Sequence, residues 1–258
     1  MSYDLLFAIK KGKHFDAKRV ADQLRKRPHW AKQNESQWLY QNEETGVYGV
    51  LDVGSPGDDE EALPAGFAPA ALAANLNYAR PSFFAHEFLP EVAWLAAALD
   101  LWIIDPQSEG LGAGIGPKRA VAPELVDCWE RNNAAAIRAL ESGQHAELLR
   151  MGRDAALAAW RYMHAREQIQ KKVGNSVYAC KVQFVRQKGA ASVLRYAAWV
   201  EGNPSVIPES DVVALVTVSR NGAPLPRGWA PMADLIAGMC DAVTRRSFDV
   251  TVCLRRSS

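Results

Sequence analysis

The sequence predicts an α+β protein. Three observations predict it: the first half alternates short apolar runs with helical stripes, two long helical stripes occupy the middle, and the last third returns to short strands. The chain has 258 residues, 48% hydrophobic and 23% charged, with eight tryptophans. Such a composition supports an ordered chain with a sizeable core, because large rings bury much area each.

Residues 3–10 (YDLLFAIK) read as a first strand. Asp16 is placed as the N-cap of a helix whose stripe is Ala17, Val20, Ala21 and Leu24, at i, i+3, i+4 and i+7, and Pro28 stops it. Residues 37–41 and 47–53 flank Asn-Glu-Glu-Thr-Gly and read as a hairpin. Both sides of 47–53 are partly apolar, which predicts a central strand. Ser55–Glu61 is an acidic loop, and the Ala-rich run after it has no clear period because of Pro64 and Pro69. A third strand is expected over 74–79, with Asn75 and Asn77 on one side and Leu76 and Tyr78 on the other. Pro90 suits the first turn of a helix striped by Val92, Leu95, Ala96 and Leu99, and 101–104 is a short buried strand. This order, β-α-β-β-β-α-β, is a split βαβ, ferredoxin-like arrangement with an elaborated hairpin.

The glycine run at 109–119 marks the expected boundary. It divides a ferredoxin-like module, 1–108, from a second part, 109–258, and the two can also pack as one domain. Pro123 opens a helix continued by Leu125, Trp129, Ala136 and Leu140, with Gly143 at its end. A second helix is expected from about 146 to 173, and together they read as an αα-hairpin. Strands are expected at 177–186, 192–200, 212–218 and 249–254, mostly antiparallel, with a helix over 232–243.

Lys plus Arg is 30 and Asp plus Glu 29, a net charge of +1, so no global field attracts nucleic acid or an anionic membrane. Basic residues on the 146–173 helix lack the aromatic interleaving of a nucleic-acid reader and read as a solvated face. No signal peptide and no apolar run long enough to span a membrane is visible, which predicts a cytoplasmic protein. The four cysteines form no C-x-x-C pair and read as buried free thiols.

Chemistry-bearing motifs are sparse. Gly110, Gly112, Gly114 and Gly116 match neither phosphate-loop pattern, and Pro117 lacks an amide to donate. The five histidines are scattered, with no metal-ligand spacing, and no G-x-S-x-G occurs. No catalytic residue, cofactor or metal is assigned. Asn132-Asn133 interrupts an apolar stripe, and a buried amide there is expected to bond across a helix interface. The polar cluster with most potential for binding is Asn42, Glu43 and Glu44 with Asn75, Asn77 and Arg80. The hairpin model lets these share one edge of the first module, although Asn-Glu-Glu-Thr-Gly is also ordinary turn chemistry.

The pattern W-x-Y-x-N-E-x-T-G-V-Y (Trp38 to Tyr48), then N-L-N-Y-x-R-P (Asn75 to Pro81) and D-P-Q (Asp105 to Gln107), resembles a family of uncharacterised bacterial α+β proteins, and the helix around Trp160 is similar too. The resemblance carries no catalytic residue. Proteins of this general type recur as immunity proteins beside secreted bacterial toxins, an analogy of type. It implies a non-enzymatic, cytosolic protein that occludes a toxin domain, with Glu43, Glu44, Asn75, Asn77 and Arg80 as partner-binding residues and the acidic loop 58–61 beside them. An enzyme or small-ligand binder is the alternative, with a pocket between sheet and helical hairpin lined by Asn77, Arg80, Trp129, Asn133 and His164. A third reading is an assembly role as an obligate oligomer; the sequence does not decide oligomeric state.

Overall fold

The computed structural model describes residues 1–54, 63–107, 117–119, 121–142, 151–186, 192–218, 224–234, 242–246 and 250–254. It is α+β, as the sequence predicts. The chain divides into two compact units, Met1–Ala146 and Glu147–Ser258. The glycine run that suggested a boundary near 108 lies outside the described residues up to 116.

In the first unit the elements are β1 (Ser2–Lys10), α1 (Ala17–Leu24), β2 (Trp30–Lys32), β3 (Gln37–Asn42), β4 (Val47–Val53), β5 (Phe67–Asn77), α2 (Phe83–Ala98), β6 (Trp102–Ile104) and α3 (Ala122–Ser142). The strands form one sheet in the order β2-β3-β4-β5-β1-β6, and every neighbouring pair is antiparallel. Without β2 and β3 the order β4-β5-β1-β6 is the ferredoxin-like one; the hairpin extends it by two strands. Asp16 caps α1 by accepting from the Lys18 amide at 2.9 Å.

Alternation decides which face is covered. Tyr3, Leu5 and Phe7 of β1 and Leu72, Ala74 and Leu76 of β5 are buried, while Asp4, Asn75 and Asn77 are half-buried on the opposite face. Central β4 buries Val47, Gly49 and Leu51. Gly49 is required there: a Cβ would stand 2.5 Å from the Phe88 ring of α2.

Three expectations change in this unit. β5 begins at Phe67, not at 74, and accommodates Pro69 beside a register shift in its pairing with β1. Helix α2 begins at Phe83, so Pro90 lies in its interior rather than in its first turn. An interior proline costs ~3 kcal/mol. Burial of Phe83, Phe84, Phe88, Leu89, Val92 and Leu95, at ~1.5–3 kcal/mol per large side chain, outweighs that cost. Short β2 had no readable alternation of its own. Helix α3 packs on α2 within this unit.

The second unit contains α4 (Arg153–Val173), β7 (Tyr178–Ala179), β8 (Val182–Arg186), β9 (Val193–Val200), β10 (Ser205–Pro208), β11 (Val212–Val218), β12 (Pro224–Pro231), β13 (Ala242–Arg246) and β14 (Val250–Leu254). Two four-stranded sheets form, β13-β14-β10-β7 and β12-β11-β9-β8. β7 with β10 and β9 with β11 are parallel pairs; the rest are antiparallel. Residues 235–241 of the helix expected over 232–243 lie outside the described residues, and Ala242 and Val243 begin β13. Strands β10 and β12 escaped the sequence reading because prolines punctuate both.

Ala159, Tyr162 and Met163 of α4 pack with Val182 and Val206. Cys180, Ala197, Trp199, Ile207, Val213 and Met232 form a second cluster. Gly174, at φ +73°, follows the last turn of α4 in the left-handed region that glycine reaches without steric cost. Among the described residues no helix is long and apolar enough to cross a membrane.

Candidate functional site

Antiparallel pairing brings the three sequence motifs to one end of the first sheet. Asn42 pairs with Val47 across the β3–β4 turn, Ser2 with Asn77, and Leu6 with Ile104. The β3–β4 turn, the start of β1, the end of β5 and the end of β6 therefore share that end. Glu43 is exposed on the turn and Glu44 is half-buried.

A buried carboxyl holds this turn. Glu87 of α2 is 5% exposed, and its Oε1 accepts from Tyr40 Oη at 3.0 Å, Asn42 Nδ2 at 2.8 Å and Thr45 Oγ1 at 3.0 Å. Asn42 Oδ1 in turn accepts from the Glu44 amide at 3.0 Å, and the Gly46 amide donates to the Asn42 carbonyl at 2.8 Å. Gly46 has φ +72°, the left-handed conformation this turn needs. Burial and the neighbouring Glu87 charge push the Tyr40 hydroxyl well above the usual tyrosine range. One turn further along α2, Glu91 accepts a bidentate pair from Arg27 and a bond from Trp30 Nε1 at 3.3 Å. Two glutamates spaced i, i+4 thus tie α2 to the hairpin and to the segment after α1.

A second network closes the same end. Asp4 accepts from Asn75 Nδ2 and, at 3.0 Å, from Ser2 Oγ. Gln107 donates from Nε2 to the Ser2 carbonyl at 2.9 Å, and its Oε1 accepts from the Asp4 amide at 3.2 Å and from Tyr78 Oη at 3.3 Å. Tyr3 Oη donates to Asp105 Oδ2 at 2.6 Å. Burial, with Asp105 adding to it, raises the Tyr3 hydroxyl far above its ordinary value, and burial takes Tyr78 to about 12.

The sequence-predicted residues fall as follows. Asn75 is engaged with Asp4. Asn77 ends β5 half-buried, opposite Ser2. Arg80 is exposed, donates to Tyr48 Oη, and lies over the Tyr48 and Phe84 rings at 5.4 and 5.9 Å. Asn133 is buried in α3; its Oδ1 accepts from the Ala79 amide at 2.7 Å and its Nδ2 donates to the Arg80 carbonyl at 2.9 Å. It satisfies the backbone where Ala79 takes φ +58°. Trp129 is fully buried, its ring 6.2 Å from that of Tyr78. His164 belongs to the second unit, exposed beside Trp160. The acidic loop 58–61 lies outside the described residues.

Glu87 is the functional-site residue that the sequence reading missed. The signal was present: Glu87 stands three residues after Phe84 and before Phe88, on an otherwise apolar stripe. A carboxyl there must meet buried donors. Cys128 is only half-buried, unlike the expectation for it; burial pushes its thiol up while Arg131 opposes, so it is not a thiolate poised for attack. Cys180 is buried, its thiol raised to about 11 by burial. No group of three or more metal-ligating side chains occurs among the described residues.

No family model, curated protein or solved structure matches the chain.

Proposed function

We propose that this is a non-enzymatic binding protein of the cytoplasm, most concretely an immunity protein that neutralises a cognate bacterial toxin domain by covering it. The observation that supports this reading is the acidic β3–β4 turn: Glu43 and Glu44 stand on a loop fixed from beneath by three bonds to Glu87. A loop ordered before contact loses little entropy on binding, the usual condition for a tight surface-complementary complex. Nearby Arg80, stacked on Tyr48, supplies the aromatic–arginine anchor typical of interface centres. The partner face that fits Glu43 and Glu44 is basic.

The test is co-expression with the toxin-like product of an adjacent gene. Growth should be restored and a stable complex should co-elute with the full chain. A Glu43→Lys/Glu44→Lys variant that folds normally should lose both. Unaltered protection by that variant refutes the placement of the interface, and absence of any complex with the wild-type chain refutes the immunity reading.

A further inference from the structure

We propose that the outer face of the β12-β11-β9-β8 sheet docks a second copy of this chain, sheet on sheet. Strand β11 reads Val-Val-Ala-Leu-Val-Thr-Val, apolar on both sides. A strand covered on one side alternates with polar residues, whereas a near-continuous apolar run belongs to a sheet covered on both. One cover is present. Val213 is fully buried with Ala197, Trp199, Cys180, Ile207 and Met232, and Leu215 packs against them.

The other side is open. Register sets Tyr196 beside Val212, Ala198 beside Ala214 and Val200 beside Val216, and Trp229 of β12 stands opposite Ala214. Ala198 is exposed, and Val212, Ala214 and Val216 are only half-buried. Trp229 is 58% exposed and Val218, at the end of β11, 54%. The Trp229 and Tyr196 rings meet edge to face at 5.1 Å across β11, which runs between their strands. The Tyr196 hydroxyl is already engaged by Gln183. No ionised side chain shares this side of β8, β9 or β11: the charged residues of these strands, Arg186 and Arg195, alternate to the inner one.

An uncharged face selects an uncharged partner. A basic face of the kind that Glu43 and Glu44 call for would bury its cations here unpaired. A second copy brings the same uncharged face by symmetry, as an isologous two-fold contact requires, and two apolar sheet faces pack ~10 Å apart as in a β-sandwich. Four strands ~4.8 Å apart, over about five residues at ~3.3 Å each, outline on the order of 300 Å². That suffices for the apolar centre of an interface burying about 800 Å² per partner, with Trp229 and Tyr196 as aromatic anchors. The inference concerns the second unit alone and does not rest on the toxin-binding reading.

Sedimentation equilibrium of the full chain between about 1 and 100 μM is the test. A monomer–dimer equilibrium is expected, and it should hold or tighten as sodium sulfate is added, because excluded salts strengthen apolar burial. Trp229→Glu, with folding checked by circular dichroism, puts two charges into each dimer and should raise the dissociation constant at least about a hundredfold. Val218→Glu on the same face should raise it too. Phe184→Glu, on the opposite face of the same sheet, should leave it unchanged. A chain that stays monomeric at about 100 μM, including one that floats with phosphatidylcholine vesicles instead, overturns the assignment. So does a dimer that both Trp229→Glu and Val218→Glu leave intact, or one that Phe184→Glu weakens as much.

Discussion

Replacing Glu87 separates the contribution of the carboxyl from that of the helix that carries it. Three donors converge on one oxygen, and Tyr40, Asn42 and Thr45 are each 6% exposed or less. In Glu87→Ala all three lose that acceptor inside the protein. A buried unsatisfied donor costs ~1–3 kcal/mol. The Thr45 hydroxyl can rotate, and removal of the carboxyl also removes its own desolvation cost. The net expectation is therefore ~3–4 kcal/mol, near the low end of broken buried pairs. Glu87→Gln keeps an acceptor in place and exchanges charge-assisted bonds for neutral ones, at ~1–2 kcal/mol. Urea unfolding followed by tryptophan fluorescence and far-UV circular dichroism measures the difference. Amide exchange at Glu44, Gly46 and Val47 reports the turn directly and should accelerate in the alanine variant ahead of the rest of the sheet. If alanine is no worse than glutamine, or if exchange in the turn is unchanged, Glu87 does not hold the turn and the preorganised-loop argument fails.

Three other outcomes are expected. Gly49→Ala should destabilise the first unit by ~1–3 kcal/mol through overpacking against Phe88, and Phe88→Leu in the same chain should recover part of that, as thermal unfolding will show. Asn133→Leu should cost ~2 kcal/mol by stripping both bonds from the Ala79–Arg80 backbone, read from the urea midpoint. In the second unit, Arg195 bonds Asp211 through Nη2 at 2.9 Å and through its own amide at 2.7 Å, with only 8% of the Arg195 side chain exposed. Burial works to raise the Asp211 carboxyl, but the Arg195 bonds and charge outweigh it and hold its pKa below the ordinary value. A lowered folded-state pKa means this stabilisation is complete above the unfolded value, about 4, and is lost as pH falls through the folded one. Asp211→Asn should therefore flatten the acid limb of stability against pH, while a limb identical to wild type would show the pair to be silent.

Much of this architecture was legible in the chain. Strand alternation placed Asn75 and Asn77 opposite Leu76, Asp16 announced α1, and the partly apolar sides of 47–53 marked a central strand, because local geometry and period set each of these. Strands β2, β10 and β12 were hidden, since short or proline-bearing segments become strands only when a neighbour offers its hydrogen bonds. Pro90 was read as a helix start for the same reason: intrinsic propensity is small beside the burial of six large side chains, and only the packed unit reveals which term wins.

The motifs themselves divide in the same way. By itself the sequence determined the α+β class, the near-neutral charge and the residue types at the turn. Only the tertiary structure decided that Tyr40, Asn42 and Thr45 share one carboxyl, that Asn75 and Gln107 meet at Asp4, and that Asn133 reaches the backbone of Ala79 and Arg80. Those partners are 42 to 103 residues apart, as with Thr45 and Glu87 at 42, Asn133 and Ala79 at 54, Asn75 and Asp4 at 71, and Gln107 and Asp4 at 103. A hydrogen bond has no signature at such separation until strand register has fixed which side chains face one another.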